Sequence, residues 1–142
     1  GIPTFAPEHF ARVRQVDTMK RKQFIKGINQ IAQEGAIQIF QEYNTGMEEI
    51  IVGVVGVLQF DVLKYRLENE YNVAIRLENL PYEYIRWIEN EEIDLDKLTG
   101  TSDMKKVKDL KGRPLLLFVN EWSIRMTIDR NDGLKLTEFG RS

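Results

Sequence analysis

His9 is the only histidine in the chain, so any hydroxyl–imidazole–carboxylate relay would have to be built on it. No Gly-x-Ser-x-Gly turn accompanies it to raise a serine nucleophile, and it reads as an ordinary strand residue. Five acids, Glu89, Glu91, Glu92, Asp94 and Asp96, crowd one stretch. A hard cation wants such oxygens, but the Asp-x-Asp-x-Asp-Gly spacing of a calcium loop is missing. A solvated acidic loop is the expectation. Cysteine does not occur, which excludes disulfides, cysteine–zinc sites and thiol catalysis, and fits a reducing compartment. Gly53-Val54-Val55-Gly56 invites a phosphate-loop reading. A phosphate loop needs a Lys after its last Gly to neutralise the anion, and Val57 stands there. A Gly-x-x-Gly clamp on a nucleic-acid backbone would not be filled with valines. The structural reading is preferred: Gly56 for a tight strand-to-helix turn, Gly53 for a close approach of backbone. These residue types predict no catalytic, cofactor or metal site.

Charge offers a different chemistry. The 142 residues carry a formal net charge of −2. Residues 1–30 hold six Lys/Arg against two acids, residues 31–99 five against fourteen, and residues 100–142 nine against six. Lys20-Arg21-Lys22, with Lys26 one turn later, forms one basic run; Lys105, Lys106, Lys108 and Lys111 form another. Either run could meet phosphates, where bound cations release counterions and make affinity salt-dependent. Either could equally be a solvated face. No apolar run reaches the roughly 18 residues of a membrane span, and no signal peptide opens the chain. The first residue is Gly1, not Met, and the expectation is a piece of a longer protein.

The elements that position these residues read as follows. His9 to Val16 is strand-like, and Asp17 is a good helix cap because its carboxylate accepts from free N–H groups. From Thr18 to Glu34, Phe24, Ile25, Ile28, Ile31 and Ala32 fall at helical spacing, and Gly35 suits a left-handed terminus. Ala36–Tyr43 and Glu49–Val55 are β-rich, with Asn44-Thr45-Gly46 as their turn. Val57–Tyr71 returns to helical spacing with Leu58, Phe60, Val62, Leu63 and Leu67; Asn72 turns, and Val73–Leu77 alternates as a strand. This β-α-β-β-α-β order predicts an α+β, ferredoxin-like half over residues 1–80: a four-stranded antiparallel sheet with two helices on one face.

Residues 81–142 read as a β/α extension packed on that half. Tyr82–Glu89 alternates as a strand. Asn90–Gly112 is polar and reads as loop with one or two short helical pieces. Pro114–Val119 is a buried-type strand, Glu121–Arg130 a short helix with strand as the alternative, and Leu134–Phe139 a last strand. RNA-recognition motifs share the βαββαβ order and stack bases on aromatics of the third strand. Here that strand, Glu49 to Val55, holds no aromatic and no Lys or Arg, so base stacking on the sheet is not expected.

Three stretches carry a family resemblance. Ile2-Pro3-Thr4-Phe5-Ala6-Pro7-Glu8-His9-Phe10 resembles the segment that opens the third domain of the bacterial peptide chain release factor 3 family. Asp17 to Phe24, followed by Gln33-Glu34-Gly35-Ala36, resembles its first helix and helix end. Ile51 to Leu63, continuing through Arg66-Leu67 to Glu70-Tyr71-Asn72-Val73, is similar to a stretch that is close to a signature of that family. The third domain of elongation factor G is related, but it carries Gly-Glu-Leu-His-Leu-Glu where this chain has Gly56-Val57-Leu58-Gln59-Phe60-Asp61. The resemblance is dense over residues 2–73 and thins to pattern beyond Tyr84-Ile85-Arg86-Trp87.

The resemblance implies an elongation-factor-G-domain-III-like fold in a cytoplasmic translational GTPase that helps remove class I release factors from the ribosome after peptide release. It implies partners: the ribosome, through small-subunit rRNA and protein, and the factor's own GTP-binding and β-barrel domains. It places GTP and magnesium in the GTP-binding domain, leaving this part without catalysis or cofactor. Arg12, Arg14, Lys20, Arg21 and Lys22 are the candidate ribosome-facing residues. The equivalent domain of another ribosomal GTPase, a free-standing RNA-binding module and a small ligand-sensing domain are the competing readings.

Overall fold

The computed structural model describes residues 6–43 and 49–138; the Asn44-Thr45-Gly46 turn read from the sequence lies outside them. In the first half, β1 (His9–Gln15), α1 (Arg21–Gln33), β2 (Gln38–Glu42), β3 (Ile50–Val54), α2 (Leu58–Tyr71) and β4 (Ile75–Leu80) follow one another. The strands pair antiparallel in the order β4-β1-β3-β2, the ferredoxin-like order that the sequence predicts. Local chemistry sets the boundaries. Asp17 Oδ1 accepts from Met19 N at 3.0 Å and caps a 3-10 turn, Thr18–Lys20, that runs into α1. Gly35 after α1 has φ +89°, and Asn72 after α2 sits at φ 57°, where asparagine is among the few tolerated side chains. Phe24, Ile28 and Ile31 of α1 and Phe60, Leu63 and Leu67 of α2 bury against Ala11, Val13, Val52 and Val54 of the sheet.

Of the two helix apolar sets predicted, only part faces inward. Leu58 and Val62 are exposed. Gly53 has the expected reason to be glycine: a Cβ there would lie 2.8 Å from the Pro7 ring. Gly56 does not. Its φ is not positive and an added Cβ would meet nothing within 4 Å, so the turn into α2 needs no glycine.

The second half contributes β5 (Tyr84–Ile88), β6 (Lys105–Asp109), β7 (Pro114–Phe118), α3 (Glu121–Arg130) and β8 (Leu136–Thr137). Strand β6 corrects the loop reading of Asn90–Gly112. Four of its five residues are charged and only Val107 is buried, so neither alternation nor β propensity shows. Backbone pairing to β2 and β7 recruits it instead. Short helical structure does occur in that stretch, as a 3-10 turn over Leu95–Lys97. Asn120 Oδ1 accepts from Ser123 N at 2.9 Å, an N-cap that settles Glu121–Arg130 as helix.

Through β6 the strands of both halves form one eight-stranded sheet, β4-β1-β3-β2-β6-β7-β5-β8. The sheet folds back on itself. Phe10, Phe40 and Ile51, on the face away from α1 and α2, meet Ile85, Trp87, Leu115, Leu117 and Val107. The Phe10 ring lies 6.3 Å from Phe40 and 6.4 Å from Tyr82 between centroids. Leu115 and Leu117 fill this inner core, while Leu116 and Phe118 point the other way, to Ile124 of α3 and to Leu95 and Leu98. β7 is apolar throughout because both of its faces are covered. The sheet face that an RNA-recognition motif leaves open is thereby buried.

Candidate functional site

The five candidate cations separate into two groups. Strand alternation puts Arg12 and Arg14 on the sheet face away from the helices, beside Phe10. Arg12 is largely buried and hydrogen-bonds the buried carboxylate of Glu42. It also lies 3.5 Å from Glu49 and 3.4 Å from Glu78. Lys105 of β6 reaches Glu42 from the other side at 3.7 Å. Arg14 is exposed and touches the same acids more loosely, Glu49 at 3.8 Å and Glu78 at 3.6 Å. Arg12 thus serves a network that joins β1, β2, β4 and β6. Burial pushes the Glu42 carboxyl up, but its hydrogen bonds with Arg12 and Glu49 and the Lys105 charge outweigh that and hold it below the usual range. The hydrogen bond to Glu42, burial and the Glu42 charge push Glu49 up.

Lys20, Arg21 and Lys22 stand where the cap turn enters α1. Lys20 Nζ donates to Asn72 O at 2.9 Å, tying the turn to the end of α2. Arg21 donates to Gln15 Oε1 at 2.8 Å and covers the Phe24 ring at 5.4 Å. Lys22 is exposed. Between the two groups stand apolar residues that sequence reasoning passed over: Met19 is 90% exposed and Val16 53%. Val16 breaks the strand pattern and Met19 follows the cap, the signal that could have marked them. Around the end of β1 and the cap turn, Arg14, Val16, Met19 and Lys22 are exposed and Lys20 is half-buried, with the acid Asp17 exposed among them; this stretch, rich in cations around two exposed apolar side chains, forms a tip.

Three lysines of the second basic run are half-buried and engaged, while Lys111 is exposed. Lys106 Nζ donates to Leu95 O at 2.5 Å, Lys108 covers the Tyr43 ring at 5.3 Å, and Lys105 belongs to the Glu42 network. The acidic stretch divides. Glu89, Glu91 and Glu92 are exposed, while Asp94 Oδ1 caps the Leu95–Lys97 turn through Asp96 N at 3.0 Å. Among the described residues no group of three or more acids or histidines could hold a metal ion. Ser123 is buried and donates to Asp103 Oδ1 at 3.1 Å, as Thr101 does at 2.6 Å. Hydroxyls and carboxylate there clamp the 101–103 loop to the start of α3; the chain's one histidine is on β1. A groove of about 920 Å³ runs between the start of α2 and the edge strand β4, lined by Val57, Phe60, Asp61, Lys64, Leu77 and Tyr82 among others.

Fold and surface define the class first: a ferredoxin-like α+β module whose charges build its architecture and present a cationic, apolar-centred tip. Its sequence is more specific. Residues 1–128 match the family described as class II release factor RF3, C-terminal domain, and the chain belongs to that family. It is 48% identical over 134 residues to a peptide chain release factor 3 of Symbiobacterium thermophilum, covering 94% of this chain and 25% of that protein. To the protein of the same name from Lactobacillus acidophilus it is 44% identical, covering 97% of the chain and 26% of the relative. To that of Gloeobacter violaceus it is 40% identical, covering 98% and 26%. The chain spans about a quarter of the length of the curated relatives it matches.

Proposed function

We propose that this chain is the ribosome-docking C-terminal domain of a cytoplasmic peptide chain release factor, in which it helps a GTPase dissociate class I release factors during translation termination. GTP and magnesium would be held by a separate domain of that factor, consistent with the valine that follows Gly56 here. Residues 1–80 and 81–142 act as one unit. The domain works as a rigid lever whose orientation follows nucleotide state by hinge motion elsewhere.

One observation beyond the family carries this reading: the tip formed by Arg14, Val16, Met19, Lys20 and Lys22. Exposed cations neutralise phosphate, and an exposed Met among them gives an adaptable apolar contact. Arg12 is engaged by Glu42, Glu49 and Glu78 and Arg21 by Gln15 and the Phe24 ring, so Arg14, Lys20 and Lys22 are the ones to test. Ribosome pelleting of the full-length factor tests it, with Arg14, Lys20 and Lys22 reversed to Glu and Arg12 left intact. Reversal weakens binding by at least about tenfold and flattens its salt dependence. Unchanged, salt-insensitive binding refutes the tip as the docking site.

A further inference from the structure

Asp132-Gly133 is the one Asp-Gly step in the chain, and no Asn-Gly step occurs. Every other aspartate is followed by a residue with a side chain, Asp61 by Val62 and Asp129 by Arg130 among them. That side chain shields the next backbone nitrogen; glycine leaves it open to the aspartyl carboxyl. The carboxylates of Asp17, Asp94, Asp103 and Asp109 are also held by hydrogen bonds. Asp132 is not held. It and Gly133 are exposed in the turn between α3 and β8. Gly133 has φ +81°, and an added Cβ would meet nothing within 4 Å. Among the described residues neither the Asp132 side chain nor the Gly133 N–H has a hydrogen-bond partner. Nucleophile and electrophile are therefore adjacent in sequence, accessible and unengaged.

We propose that Asp132 is a modification site at which the aspartyl peptide isomerises to isoaspartyl. The Gly133 nitrogen attacks Asp132 Cγ. A new C–N bond forms, and the carboxyl oxygen leaves with the amide proton as water, giving a cyclic succinimide. Water then opens the ring. Opening at the former side-chain carbonyl restores aspartate. Opening at the backbone carbonyl leaves the chain running through Cγ, with the old α-carboxylate as the side group. The net change is an isomerisation that needs no oxidant or co-reactant. The product is the group on which isoaspartyl methyltransferases act, forming a methyl ester at that carboxylate. This inference is independent of the ribosomal reading.

The turn gives the change a structural effect. Isoaspartate adds one methylene to the backbone between two fixed points. On one side Asn131 is tied to Thr99 O and Thr127 O. On the other, Asn90 holds Gly133 O at 2.9 Å and Lys135 N at 2.8 Å. Leu134 N donates across the turn to Asn131 O at 3.1 Å, and Glu89 N donates to Lys135 O at 2.8 Å. These bonds set the register of β8, a two-residue edge strand whose described pairing is to β5 alone. An added backbone atom in the turn breaks that register, and so short a strand has little else to hold it.

The test is ageing of the native full-length factor at neutral pH and growth temperature, followed by peptide mapping. Trypsin releases residues 131–135 as one peptide, since Arg130 precedes it and Lys135 ends it. Isoaspartate accumulates in that peptide without a change of mass, at a rate within about tenfold of a free synthetic peptide of the same sequence, because exposed turns open at little cost. The neighbouring peptide 126–130, which carries Asp129, does not change. Asp132→Glu abolishes the product, since its ring would need a sixth member. Asp132→Asn reaches the same product faster, by loss of ammonia. A purified isoaspartyl methyltransferase places more labelled methyl on the aged natural factor than on aged Asp132→Glu. In the isomerised fraction the amides of Glu89, Leu134 and Lys135 exchange hydrogen at least about tenfold faster, and those of β1 and β3 do not. A native factor that stays aspartyl at 132 while the free peptide isomerises overturns the site. Product that forms only in urea overturns it too. Isoaspartate at 132 with unchanged exchange at the three amides overturns the coupling to β8.

Discussion

Glu42 and Glu49 share a hydrogen bond and one guanidinium, yet they titrate in opposite directions. Glu42 is held below its ordinary 4.5. A carboxylate depressed on folding stabilises the fold above that value, and the contribution is lost as pH falls through the folded value. Glu49 is raised above its ordinary 4.5, so its ionisation costs stability at neutral pH and the cost vanishes on acidification. Two windows follow. Glu49 adds stability as pH falls toward its ordinary 4.5, and Glu42 withdraws it below 4.5. Glu49→Gln keeps a hydrogen-bonding partner for Glu42 and removes the repulsion. Because Glu49 is partly open to water, the expected gain at pH 7 is small, about 0.5 kcal/mol, and the upper window flattens. Glu42→Gln leaves Arg12 and Lys105 without their buried partner and costs about 3 kcal/mol. Urea midpoints between pH 4 and 8 check both; a Glu49→Gln variant less stable than the natural chain at pH 7 contradicts the assignment.

At the scale of elements, the α1–α2 pair sets the rigidity of the helical layer. Gly27 of α1 lies against Leu67 and Tyr71 of α2, and a Cβ there would come within 2.8 Å of both side chains. Arg66 of α2 clips the pair from outside, donating to Glu70 at 2.5 Å and to Glu34 at 3.2 Å. That clip is solvated and contributes little; the packing decides. Gly27→Ala gains about 1 kcal/mol of helix propensity but forces the helices apart, so it destabilises by about 1–3 kcal/mol net. Phe60→Ala, which empties a buried site between α2 and the sheet, costs about 3–5 kcal/mol. Equilibrium denaturation reads both, and a loss under about 1 kcal/mol for Phe60→Ala would remove it from the core.

At the scale of the molecule, the second half does more than extend the first. Phe10, Phe40 and Ile51 are at most 2% exposed because β5 and β7 close over them. Both tryptophans, Trp87 and Trp122, lie after residue 80, while α1 and α2 lie before it. Tryptophan fluorescence therefore reports the second half, and far-UV circular dichroism is weighted toward the first. The two signals follow one transition in urea if the halves share a core. Separated transitions would make residues 1–80 and 81–142 independent units. A chain ended at residue 80 uncovers the three side chains and binds a hydrophobic dye.

The sequence alone determined what depends on neighbours along the chain. Caps at Asp17, the left-handed Gly35, the turn at Asn72, the period of α1 and the βαββαβ order all rest on contacts within a few residues, and they hold. Residues 2–73 also carried enough family-specific spacing to name the family. Tertiary structure decided what depends on distant partners. Strand β6 exists because β2 and β7 supply backbone hydrogen bonds to a charged segment. Arg12 is a structural ion because Glu42 and Glu78 come to it from other strands, while Arg14, two residues on, stays exposed. Lys20 and Lys106, alike in sequence, each give the ammonium to a backbone carbonyl that another segment brings, Asn72 O and Leu95 O, while Lys22 stays exposed. Charge is visible in a sequence, but its role is set by distance to the opposite charge, and only the folded chain fixes that distance.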